Sequence, residues 1–157
     1  MITIYGMRLL AALLIAVMTT SAQAREDVQE YPIAAALAQG GPAAQPAGGI
    51  QFYFGSQPYP QPSADLGSFR TSKRTHATGK SISEACNGAF VAAMAALEER
   101  ALREGGNAVV DIKSNYDDAL TESNTSFKCG AGKIMAGVAL EGRVVRLPEV
   151  PVPGNDS

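Results

Sequence analysis

One segment reads as a single long helix, and the remainder of the chain has to arrange itself around it. Ser81 and Glu84 form an S-x-x-E capping box, in which each side chain satisfies a backbone N–H that the first turn leaves orphaned. Cys86, Phe90, Ala93, Met94, Leu97, Ala101 and Leu102 then fall on one face at helical spacing. Gly105-Gly106 supplies the left-handed position that stops the helix. The spacing therefore predicts a helix over Ile82–Glu104. Ala89, Ala92, Ala95 and Ala96 leave little bulk on the rest of its circumference, so it can lie close to a sheet.

Strand signals flank this helix on both sides. Ile50–Phe54 alternates aromatic and polar residues. Gly55–Gly67 carries Pro58, Pro60 and Pro62 and is excluded from a sheet interior. Ser68–His76, rich in Thr and cations, reads as a strand near an edge. After the helix, Asn107–Tyr116 is a strand with Ala108, Val110, Ile112 and Tyr116 on one face and Val109, Asp111 and Lys113 on the other. Asp117–Asn124 is a polar loop, Thr125–Cys129 a short strand, and Gly130-Ala131-Gly132 a turn or bulge. Lys133–Leu147 closes the domain, with Ile134, Ala136, Val138 and Leu140 on one face. Met135 and Ala139 on the other face make it a central strand buried on both sides. The order β-β-α-β-β-β predicts an α+β domain over 50–147: a small mixed or antiparallel sheet carrying one long helix. Residues 25–49 read as a flexible arm and linker. Within them, Asp27–Gln39 is a short helix candidate through Val28, Tyr31, Ala35 and Leu37, and Gly40–Gly49 is rich in Gly, Pro and Ala. Residues 148–157, with three prolines, read as a disordered tail.

The first 24 residues have the three parts of a secretory signal peptide: a short start with Arg8, the apolar run Leu9–Val17, and a small-x-small site at Ala22-Gln23-Ala24. Cleavage near Ala24 implies a periplasmic or secreted protein. The apolar run is too short to span a bilayer, and no Cys follows the cleavage site, so no stable membrane anchor is expected. The leader removes one of the 13 cations, leaving 12 against 15 acids. That balance argues against a nucleic-acid partner, which calls for a basic excess. Both cysteines, Cys86 and Cys129, lie in the exported domain, and an even count there reads first as one disulfide. Cys86 sits on the apolar face of the helix and Cys129 ends a strand of the sheet that this face covers. Closing that loop stabilises a fold by about 4 kcal/mol in the chain-entropy model. The alternatives are a redox pair, against which the spacing speaks, and a metal site, for which His76 is the only imidazole.

The remaining motifs carry little chemistry. Thr78-Gly79-Lys80-Ser81 resembles the end of a phosphate-binding loop, but the first glycine that loop needs is Arg74. Arg70, Lys73, Arg74, His76 and Lys80 form a basic run without an acid. Alternation puts Arg70, Arg74 and His76 on one face as a candidate anion contact, and a solvated edge strand explains the same residues. Asp117, Asp118 and Glu122 lack calcium-loop spacing and read as a solvated hairpin tip. Asn124-Thr125-Ser126 is a glycosylation sequon only in a eukaryotic secretory route. No catalytic residue, cofactor site or metal site is assigned.

The passage Glu98–Val110, with Gly105-Gly106-Asn107-Ala108 at its centre, and Ile134–Gly142 (IMAGVALEG) together resemble a group of small exported bacterial proteins. These proteins are designated "excinuclease ATPase subunit". Gly49–Gly55 and Glu84-Ala85-Cys86 extend the resemblance over roughly residues 49–147. That designation implies DNA repair. The chain lacks the intact phosphate loop and zinc-binding cysteine sets that repair ATPase activity would require. More distantly, the helix–G-N-A-V-V–strand unit is similar to YbjQ-type heavy-metal-binding domains and to the Rcs-pathway outer-membrane stress-sensor lipoprotein. Those families imply a helix packed on a sheet, ring-like homo-oligomers in the first case, and disulfides with envelope protein partners in the second. The expectation is a non-enzymatic, disulfide-stapled domain acting by protein–protein contact in the cell envelope. A small-ligand or metal-binding module is the alternative.

Overall fold

A computed structural model describes residues 27–149. The leader over 1–24 and the tail residues 150–157 lie outside the described residues. The chain runs β1 (Asp27–Pro32), α1 (Ile33–Gly40), a 3-10 turn (Gly41–Ala44), β2 (Gln51–Phe54), β3 (Ala64–His76) and α2 (Ile82–Glu104). It then continues through β4 (Ala108–Tyr116), β5 (Ala119–Thr121), β6 (Ser126–Ala131) and β7 (Met135–Arg146). This is an α+β fold: seven strands in one curled, mixed sheet under one long helix.

The β7 strand is the spine of the sheet. On one side β3 pairs antiparallel with it along nearly its whole length, from Ala64↔Arg146 to His76↔Met135. On the other side β6 takes the start of β7 and β4 takes its end. Parallel β2 extends the β4 flank and antiparallel β1 extends the β6 flank. Among the described residues the β3 strand bonds only to β7, which makes it an edge, and its charges suit that place.

Helix α2 has the predicted ends. Ser81 Oγ accepts from the Glu84 N–H at 3.1 Å, and the Glu84 carboxylate accepts from the Ser81 N–H at 2.8 Å. Gly105 closes it at φ 77°. Ala85, Cys86, Ala89, Phe90, Ala93, Leu97 and Ala101 are almost completely buried. Leu102 departs from the predicted face: it is half exposed and instead lies against Gly48. Phe90 stacks on Phe127 with ring centroids 4.3 Å apart, and Phe54 and Tyr31 continue the aromatic row into β2 and β1. Cys86 and Cys129 form a disulfide with Cα atoms 5.8 Å apart, both sulfur residues fully buried. It ties the second turn of α2 to β6.

Five sequence expectations need correction. Residues 27–40 are not an arm: Asp27–Pro32 pairs with β6, and Ile33 and Ala36 are buried in the core beside α2. The predicted helix begins only at Ile33, because Pro32 has no N–H and an extended backbone that suits a strand end. The loop after β4 contains the short strand β5, joined by a two-residue turn in which Asp117 and Asp118 both have positive φ. Ile134 is not on the buried face; it is 66% exposed at the β6–β7 turn. Finally, the faces of β4 are not strictly alternating. Between Val110↔Arg143 and Lys113↔Glu141, two residues, Asp111 and Ile112, stand opposite Gly142 alone. That bulge, with Asp111 at φ 53°, turns both Val109 and Ile112 into the main core.

Candidate binding face

Helix α2 covers one face of the sheet, and the opposite face bears the polar chemistry. Along β7 it presents Val145, Arg143, Glu141, Ala139, Gly137 and Met135 in turn, because alternate residues point the same way. The expectation that β7 is buried on both sides fails here, since 135, 137, 139, 141 and 143 are only half-buried. At the Val145 end, Ala108, Val110 and Leu147 form a small second apolar cluster roofed by Tyr53 and Tyr59.

Arg143 organises the middle of this face. Its guanidinium donates to Asp65 at 2.7 Å and to Asp111 at 3.0 Å, and also donates to the Tyr59 hydroxyl at 2.7 Å. The Tyr59 hydroxyl in turn donates to the Asp111 carboxylate at 3.0 Å. Two irregularities aim the acids. The β4 bulge swings Asp111 out, and a second one in β3, with Leu66 and Gly67 opposite Val144 alone, places Asp65. Gly67, at φ 107°, supplies the positive φ there and donates its N–H to Asp65. Neither irregularity has a local strand signal in the sequence; the glycines at 67 and 142 inside extended segments are the one available pointer. The same geometry sets the titration. Hydrogen bonds from Arg143 and the Gly67 N–H hold Asp65 below the ordinary carboxylate range, and its two acids hold Arg143 protonated. Desolvation, then the hydrogen bond to Asp111, push Tyr59 up.

Glu84 is lowered likewise by the Ser81 cap. A carboxylate held low in the fold stabilises it above the unfolded pKa, and that contribution vanishes as pH falls through the folded value. Stability should therefore decline below about pH 4. Urea midpoints for wild type and Asp65→Asn should converge at acid pH; a constant gap down to pH 2.5 would contradict this.

Beyond Arg143 the face opens into a depression of about 390 Å³ lined by Arg70, Thr71, Ser72, Asn115, Asp117, Asp118 and Ala139. Arg70 donates to Glu141 at 2.6 Å and reaches Asp118 at 3.4 Å, so its charge is matched. Glu141 is the main reason that the Arg70 guanidinium titrates even higher than usual. Asn115 is 6% exposed, and its Oδ1 has no hydrogen-bond partner among the described residues. Sequence reasoning missed Asn115, Tyr59, Asp65, Asp111 and Arg143, because only the pairing of β3, β4 and β7, and the β2–β3 loop that carries Tyr59, place them on this face. Of the predicted anion contacts, Arg70 lines the depression, while Arg74 and His76 lie exposed further along β3 and are not among its lining residues. Arg74 crosses Gly137, where the missing side chain leaves room for its stem. Among the described residues no group of three or more His, Cys, Asp or Glu side chains is placed to hold a metal ion. No described helix is long and apolar enough to cross a membrane.

Set against protein-family models, curated proteins and solved structures, the chain finds no match.

Proposed function

We propose that the chain is an exported, non-enzymatic domain that acts by protein–protein contact in the cell envelope, using the sheet face opposite α2. The depression beside Arg70 carries this reading. It is open, its Arg70 is matched by Glu141 and Asp118, and Asn115 supplies a desolvated amide whose Oδ1 finds no donor among the described residues. A partner that enters the depression and uncovers that amide would satisfy it. The buried disulfide supports export, since such bonds persist where thiols oxidise. A photo-crosslinking residue at Ser72 should capture one discrete partner in intact envelopes; recovery of self-crosslinks alone would overturn the proposal. The volume of the depression also falls in the range of small-molecule sites, which favours a ligand-binding module as the second reading. Calorimetry with divalent metals separates the two, because tight stoichiometric uptake would replace the protein-contact reading.

A further inference from the structure

A different surface, at the far end of β3, has a composition that folding does not require. The β3–α2 loop and the β6–β7 turn meet there: the Ala77 N–H donates to the Ile134 carbonyl at 2.7 Å, and His76 stands opposite Met135. Ile134 is 66% exposed at the turn, and Ile82, the first residue of α2, is 53% exposed directly after the loop. Lys80 and Lys133 lie beside them in the chain, and Lys73 and Arg74 stand on β3 opposite Val138 and Gly137; all four are exposed. None of these four has an ion-pair partner among the described residues, whereas Arg70, Arg100, Arg103, Lys113 and Arg143 each have a carboxylate. Glu84 accepts from the Ser81 N–H and also acts on Lys80 through its charge, without forming an ion pair with it. In a chain with more acids than bases, four of the six described cations without an ion pair thus lie at this end, near two protruding aliphatic side chains; the other two, Lys128 and Arg146, sit on β6 and at the end of β7.

We propose that this end of the domain docks reversibly on an anionic lipid surface. Each part answers to one layer of such a surface. The cations meet the phosphates, each Lys or Arg strengthening attachment about fivefold near a charged bilayer. The isoleucines enter the acyl boundary, where aliphatic side chains are stable and lysine stems can extend back to the headgroups. A soluble polyanion would use the cations and leave Ile82 and Ile134 unexplained. The surface is separate from the depression beside Arg70, so a protein partner there and a lipid contact here are compatible and fail independently.

Co-sedimentation of the disulfide-bonded chain with vesicles tests this. Vesicles of phosphatidylcholine containing phosphatidylglycerol should bind it at low salt, and pure phosphatidylcholine should not. Lys80→Gln with Lys133→Gln should weaken binding about 25-fold, two factors of about five. Both positions are exposed, so the variant's unchanged thermal midpoint will show that it folds. The chain has no Trp, so Ile134→Trp gives a lone reporter whose emission should shift to the blue on bound vesicles. Equal binding to both vesicle types, indifference to the lysine substitutions, or an unshifted Trp on bound vesicles would each overturn the proposal. So would soluble polyphosphate binding as tightly as vesicles, with Ile82→Ser and Ile134→Ser having no effect on either.

Discussion

Replacing Cys86 and Cys129 together by alanine should cost about 4 kcal/mol and lower the thermal midpoint by about 10–20 °C. The bridge closes a 43-residue loop that contains most of α2, all of β4 and β5, and part of β6. In the unfolded chain that closure removes conformations the open chain would otherwise explore, so the loss is felt chiefly by the denatured state. Alanine is the right probe because both positions are fully buried, and a serine hydroxyl there would add its own desolvation cost. The same burial makes a second expectation: a mild reductant should leave the native protein oxidised and act only once denaturant opens the core. Calorimetric scans of the wild type and the double variant check the first expectation. A midpoint difference below a few degrees would show that α2 is held on the sheet by packing alone.

Phe90→Ala should cost about 3–5 kcal/mol, the range for emptying a large buried aromatic site. Phe90 has no exposed surface, and it touches elements from three parts of the chain. It stacks on Phe127 of β6 and lies 6.0 Å from Phe54 of β2, while the α2 backbone carries it one turn from Cys86. Those neighbours are fixed by the disulfide on one side and by strand pairing on the other, so little can collapse into the space. Urea unfolding should show a lower midpoint with an unchanged slope. The deficit should also fail to add to that of the cysteine double variant, since the two sites share β6 and one helix face. Full additivity would mean that the core under α2 relaxes more freely than its packing implies.

The parts of this fold legible in the sequence are those specified by local chemistry. The capping box, the Gly105 stop and the helical spacing of Cys86, Phe90, Met94 and Leu97 need no partner to be recognised, and α2 follows them residue for residue. The disulfide was legible because only two cysteines exist and facing elements carry them. What escaped depends on neighbours. The β1 strand, DVQEYP, is exposed along most of its length and carries no alternation of its own; β6 makes it a strand by offering an open edge. Strict alternation predicted Val109 and Ile112 on opposite faces, and the bulge at Asp111 overrules it. The Arg143 cluster escaped for the same reason. Asp65, Asp111 and Tyr59 lie far apart in the chain and converge only through strand pairing and two irregularities.

The bulge in β4 and the glycine across from it have a consequence for how this family of shapes can vary. A Cβ at position 142 would sit 2.6 Å from Val109 Cγ1 and 3.3 Å from an Ile112 side-chain carbon. The extra residue in one strand thus occupies the volume that its neighbour leaves empty, and neither change is tolerable without the other. Homologues that carry a side chain at this place in β7 should have β4 one residue shorter. They would then lose the outward turn at Asp111, and with it the carboxylate that grips Arg143.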